Sequence, residues 1–151
     1  MNAPTTNTLP SADMGKTIER VKVQNSEDLS LVTRGELKAE DVRTVEVDAI
    51  VDTGAAYLCL PPNLIEKLGL PYSRTKNMQT ANGVVARRQF RAAQITIRDR
   101  SDDMAVMEND ANTPPLIGYL VLESLDFVVN PKSQQLMGNP EHNGQWITDM
   151  L

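Results

Sequence analysis

What the chain has little of narrows its chemistry first. One cysteine, Cys59, among 151 residues excludes an intrachain disulfide and agrees with a reducing compartment. Set in Tyr57-Leu58-Cys59-Leu60, it reads as a small buried hydrophobe rather than a reactive thiol. His142 is the only histidine, which argues against a Ser-His-Asp triad and against a histidine-rich zinc site. There is no phosphate-binding glycine loop. No apolar run approaches the length of a spanning helix, and Met1-Asn2-Ala3-Pro4-Thr5-Thr6 lacks the basic-then-apolar layout of a signal peptide. A cytoplasmic protein with no membrane partner is therefore expected. An excess of positive charge is missing too: the net charge is -5. That argues against nucleic acid as the main partner, since phosphate binding needs clustered Lys and Arg to displace counterions. The one basic patch, Arg87-Arg88 with Arg91, is most simply a solvated strand face; the other reading is attraction of an acidic substrate.

What is present suits one domain with one core, given 151 residues of which 40% are hydrophobic. Residues 1–15 are rich in Asn, Thr, Pro and Ser without apolar periodicity and read as a disordered tail. Apolar alternation then places Ile18, Val21 and Val23 in one strand, Leu29, Leu31 and Val32 in a second, and Val42, Val45 and Val47 in a third that runs into Asp52. Tyr57 to Leu60 is a short strand. Pro61-Pro62 opens a short amphipathic helix with Leu64, Ile65 and Leu68 on its core face, capped by Gly69. Asn82-Gly83 is a strong two-residue hairpin signal. The strand that follows extends from Val84 to about Arg98, and Met104 to Met107 pairs with it across a polar turn at Ser101-Asp102-Asp103. After the loop at Asp110 to Pro115 comes Leu116-Ile117-Gly118, the glycine lying where backbones approach closely. Residues 142–151 read as a tail that Trp146 docks.

The stretch that organises these elements is Ala49-Ile50-Val51-Asp52-Thr53-Gly54-Ala55-Ala56. An apolar strand delivers one carboxylate into a tight turn, where Gly54 permits backbone conformations that a Cβ resists and the Thr53 hydroxyl can bond locally or across an interface. A bare Asp-Thr-Gly also serves as an ordinary polar turn, so its context decides. Here the context holds two further features in order, the Asn82-Gly83 hairpin and the Leu116-Ile117-Gly118 segment. On these residues the chain resembles the retropepsin-like aspartic proteases over about Val42 to Glu141. The ending, Leu122-Glu123-Ser124-Leu125-Asp126 into Val128-Val129-Asn130-Pro131-Lys132, is similar to the bacterial branch of that family. Two departures stand out: Ala56 and Leu120 occupy places where retroviral members often have aspartate.

The resemblance implies a mainly β, closed-barrel acid-protease domain over 16–141 with one or two short helices. It implies an endopeptidase whose water is activated by two aspartates. Because the chain supplies one, a twofold homodimer must supply the other. Asp52, Thr53 and Gly54 are then the catalytic residues, Thr53 supporting the pair and the Gly54 carbonyl accepting a substrate amide. Ala55 and Ala56, with Asn82, Gly83 and Val84 of a flap, are the substrate-binding residues. The partners are a protein or peptide substrate and a second copy, and neither metal nor organic cofactor is required. The rival reading keeps the fold without the hydrolysis, as a dimeric peptide-binding or scaffolding module.

Overall fold

The structure, a computed structural model, describes residues 5–7 and 16–150. The reading of 1–15 as a disordered tail otherwise falls outside the described residues; Thr5–Asn7 forms β1, parallel to β3. β2 (Ile18–Asn25) runs into a helix, α1 (Ser26–Thr33), and β3 (Thr44–Val51) returns antiparallel to β2. β4 (Leu58–Leu60) is followed by α2 (Pro62–Leu68), then by the hairpin β5 (Tyr72–Thr80) and β6 (Gly83–Ile97), and by β7 (Arg100–Glu108). β8 (Leu116–Ile117) feeds α3 (Tyr119–Leu125), and β9 (Phe127–Asn130) and β10 (Gln135–Gly138) form a separate antiparallel pair.

Hydrogen bonding in the main sheet runs β3-β2-β6-β7-β4-β8 and returns from β8 to β3, so six strands close a ring. Closure removes the unpaired edges that an open sheet would leave. Alternate residues fill the interior: Val21 and Val23, Val45 and Val47, Ile95 and Ile97 are all buried, with polar neighbours between them facing out. The barrel closes through parallel pairs at β4–β7 and β3–β8. α2 and α3 each turn three apolar residues inward, Leu64, Ile65 and Leu68 from one and Val121, Leu122 and Leu125 from the other.

Three expectations change. The segment holding Leu29, Leu31 and Val32 is helix α1, not a strand, so the described residues hold three short α-helices. Asn25 caps it, its side chain accepting from the Asp28 N–H at 3.0 Å, and Glu27 and Asp28 occupy the positive end of the helix dipole. The same Asn25 amide donates to the Leu68 carbonyl at 2.8 Å, tying α1 to the end of α2. Second, the β6–β7 turn lies at Arg98-Asp99, with Ile97 opposite Arg100, and Ser101 to Asp103 belong to β7. Third, the β5–β6 turn residues are Ala81 and Asn82, because Thr80 pairs with Gly83. Gly83 alone among them has positive φ (+104°), and the Thr80 hydroxyl donates to its carbonyl at 2.8 Å.

Two buried carboxylates hold the periphery. Asp28 accepts from the Arg43 guanidinium at two contacts of 2.9 Å and from the Arg43 N–H at 3.0 Å. That guanidinium bond lowers the Asp28 carboxyl below its usual range despite burial. Asp126 accepts from His142 Nδ1 at 2.6 Å, the Asn139 amide at 3.1 Å and the Ile147 N–H at 3.1 Å. Burial pushes the Asp126 carboxyl up, and these bonds together outweigh it, leaving the group lowered. Arg100, stacked over Phe127 at 4.4 Å, donates to the Leu125 and Asp126 carbonyls at 2.8 Å and to the Gly144 carbonyl at 2.5 Å. Trp146 Nε1 donates to the Ser124 carbonyl at 3.0 Å, so the C-terminal segment is docked against the end of α3.

A carboxyl whose folded value is lowered contributes stability that is fully present above its unfolded value and is lost as pH falls through the folded value. The urea midpoint should therefore fall as pH drops from about 5 toward 3. In Asp126→Asn the fall should be shallower, from a lower starting point. An identical pH slope in wild type and variant would show that Asp126 carries none of it.

Candidate active site

β3 ends where its backbone is held on both sides. The Ile50 N–H donates to the Pro115 carbonyl at 2.9 Å, Val51 to Thr17 at 2.9 Å, and Asp52 to Ile117 at 3.0 Å. The chain then turns tightly: the Gly54 N–H donates to Asp52 Oδ1 at 2.9 Å and the Ala55 N–H to the Asp52 carbonyl at 3.1 Å. One carboxylate oxygen is thus oriented by the turn's own backbone, and Asp52 stays exposed.

The far limb of the turn is bolted to the start of α3. Gly118, Tyr119 and Leu120 donate their N–H groups to the carbonyls of Tyr57 (2.9 Å), Ala55 (2.8 Å) and Ala56 (3.0 Å). The approach is close enough that a Cβ on Gly118 would lie 2.4 Å from the Ala56 carbonyl carbon. The approach expected at Gly118 is there, and its partner is the Asp52 turn itself.

Between this turn and the β5–β6 hairpin runs an open groove of about 500 Å³. Asp52, Gly54, Ala55 and Ala56 line one side, and Met78 to Ala81 line the other. A second carboxylate, Glu108, also borders the groove, but the Arg88 guanidinium grips both its oxygens, at 3.0 and 2.5 Å. Cys59 lies beside Asp52 in the wall; burial, and secondarily the Asp52 charge, push its thiol up to about 11. At neutral pH it is a neutral wall residue, as a poorly nucleophilic thiol should be. Among the described residues no three His, Cys, Asp or Glu side chains converge as a metal site.

Residues 40–124, the span from the approach to β3 through nearly all of α3, match a family model described as gag-polyprotein putative aspartyl protease. The chain belongs to this aspartyl protease family. No curated protein matches it.

For a member of the aspartyl protease family, the sequence-derived site residues divide into two groups. Asp52, Gly54, Ala55 and Ala56 come together along the groove, with Thr53 exposed between them in the turn. Asn82, Gly83 and Val84 stand at the hairpin's extremity, Val84 being 64% exposed, while the groove-lining part of the hairpin is Met78 to Ala81. Sequence reasoning missed Met78 and Thr80, and also Tyr57, Glu108 and Tyr119 in the groove wall. Met78 and Thr80 share one parity along β5, a signal that becomes usable once the register with β6 is known.

Proposed function

We propose that the protein is an aspartic endopeptidase whose active site forms between two copies, each contributing Asp52. The observation that carries this is an exposed carboxylate, fixed by its turn and bordering a groove beneath a hairpin, where the only other bordering carboxylate among the described residues, Glu108, is neutralised by Arg88. One copy offers half of an acid–base pair. A twofold axis beside Asp52 completes it, since such an axis presents the same surface twice. The two carboxyls share one proton. The ionised one takes a proton from water as its oxygen attacks the scissile carbonyl carbon, and the protonated one donates to the carbonyl oxygen. Collapse of the resulting diol breaks the C–N bond, the amine leaves with a proton, and a new carboxyl remains. Thr53 supports the pair, and the Gly54 carbonyl and the hairpin hold an extended peptide in β-fashion. The similarity of the stretch from Leu122 to Lys132 to the bacterial branch of the family supports reading the chain as a member of that branch.

The deciding experiment is digestion of a peptide library at pH 4 to 7 by wild type and by Asp52→Asn. Asp52-dependent cleavage is expected; equal cleavage by both proteins would end this reading. Gly83 tests the hairpin. Its φ of +104° is one that side chains rarely adopt, and a Cβ there would meet nothing within 4 Å. Gly83→Val therefore costs strain of about 1–3 kcal/mol without a clash. Turnover should fall about tenfold through a misdirected hairpin, while the melting temperature drops by about 2–12 °C, at roughly 2–4 °C per kcal/mol. Wild-type turnover in this variant would remove the hairpin from the mechanism.

A further inference from the structure

The hairpin over the groove is charged unlike the rest of the chain. From Pro71 to Arg98 the sequence holds Arg74, Lys76, Arg87, Arg88, Arg91 and Arg98 and neither Asp nor Glu, in a protein of net charge -5. The β5–β6 register sorts these cations. Alternate residues of a strand project to the same side, so Arg74 (opposite Gln89) and Lys76 (opposite Arg87) fall on the face of Met78 and Thr80, which line the groove.

Lys76 and Arg87 are like charges set directly opposite, an unfavourable pair on its own, and each is drawn to a different neighbour. Arg87 reaches Asp110 at 3.1 Å. Lys76 Nζ donates to the Tyr57 hydroxyl at 2.7 Å and sits 5.1 Å from its ring centroid. Arg88 is closed on Glu108. The Arg87-Arg88 pair that stands out in the sequence is thus neutralised by the body of the protein. Among the described residues, Lys76 and Arg74 have no carboxylate partner; Lys76 has the neutral Tyr57 hydroxyl instead.

We propose that Lys76 and Tyr57, with Arg74 behind them, form a carboxylate-binding subsite at one end of the groove, so that the substrate is a polypeptide carrying Asp or Glu near the cleaved bond. The inference rests on the peptide-hydrolysing reading and adds the substrate's charge to it. A hydroxyl that accepts from Lys76 keeps its own O–H to donate, and an ammonium has three donors of which one is used here. A carboxylate placed beside them accepts from both. Spacing fixes where it belongs: strands rise about 3.4 Å per residue, so Lys76 and Arg74 lie about 7 and 14 Å along β5 from Met78. An extended substrate advances at the same rate, which puts the acidic side chain two to four residues from the one beside Met78.

The test uses the full-length Asp52→Asn protein, so that binding is read without consumption of the probe. Labelled octapeptides of one Ala- and Leu-rich sequence, with Glu, Gln or Lys scanned through each position, are titrated by fluorescence anisotropy at low and high salt. At the favoured position the Glu peptide should bind about fivefold tighter than its Gln counterpart at 50 mM salt, and the gap should narrow at 300 mM as screening grows. Adding Lys76→Gln and Arg74→Gln should bring the Glu-to-Gln ratio to about one. A purely structural role for Lys76 would move both affinities together and leave the ratio intact, which would overturn the proposal. It would equally be overturned by no Glu preference at any position, by no binding of any peptide, or by an oligothymidylate of equal charge binding more tightly than the Glu peptide. Wild-type digestion of the same peptides separates the two claims. Cleavage without Glu preference removes the subsite and keeps the hydrolysis, and Glu-selective binding without cleavage does the reverse.

Discussion

Asp52→Asn is expected to lower peptide hydrolysis by at least about a thousandfold, the scale of a lost acid–base group, while leaving the fold intact. Asn is nearly isosteric and retains an oxygen to accept the Gly54 N–H, now 2.9 Å from Asp52 Oδ1. The site is exposed, and substitutions of that kind shift stability by about half a kcal/mol or less. The same variant also tests where the second carboxyl comes from. If the active unit is a twofold pair, random exchange with a ninefold excess of Asp52→Asn leaves only about a tenth of wild-type chains paired with one another. Activity per wild-type chain should drop to about that fraction. Undiminished activity after exchange has been verified, for instance by energy transfer between labelled copies, would show that one copy suffices.

Legibility from sequence followed how local the determining physics is. Pro62 at the start of α2 and Gly69 in the left-handed conformation at its end (φ 62°) punctuate a helix through their own backbone constraints, and both are readable in isolation. The Asp52 turn is similar: strand, carboxylate and glycine within a few residues. α1 was ambiguous because Leu29 and Leu31 alternate as a strand would, while Leu29 and Val32 also share a helical face. The decision lay upstream, in the Asn25 cap. The β6–β7 turn was hidden because Arg98 takes φ 57° with no glycine to announce it, and the more turn-like Ser101-Asp102-Asp103 lies three residues on. There the barrel register, Ile97 opposite Arg100, overrides local preference. The groove's hairpin side was least legible, since alternation puts Met78 and Thr80 on one face of β5 but which part of the hairpin borders the groove is set by tertiary structure. The neutralisation of Arg87 and Arg88 is likewise a fact of tertiary structure, set by Asp110 and Glu108 beyond the next turn.

Gly118→Ala is expected to have the largest effect on stability of any single methyl group added near the site. Gly118 has ordinary backbone angles (φ -84°, ψ 175°), so alanine brings no conformational strain, and the cost is steric. The added Cβ would lie 2.4 Å from the Ala56 carbonyl carbon and 2.5 Å from the Ala56 and Tyr57 carbonyl oxygens. These are backbone atoms of the limb that descends from Asp52, so no side chain can swing away to relieve the contact. Separating them to van der Waals distance moves α3 and the turn apart by roughly 1 Å, given contact distances near 3.5 Å. That stretches the bonds from Tyr119 and Leu120 to Ala55 and Ala56, now 2.8 and 3.0 Å. Overpacking of this kind costs about 2–4 kcal/mol, which for a domain of this size lowers the melting temperature by about 5–15 °C. Below the melting transition, the displaced turn should still cost activity, on the order of tenfold to a hundredfold, because a shift of about 1 Å misaligns the reacting groups. Gly83→Ala is the matched control: a methyl group there meets nothing within 4 Å and should melt within a few degrees of wild type, the strain of its positive φ being about 1 kcal/mol. If Gly118→Ala melts as high as that control, the close passage of α3 beneath the Asp52 turn is not what holds the turn in place.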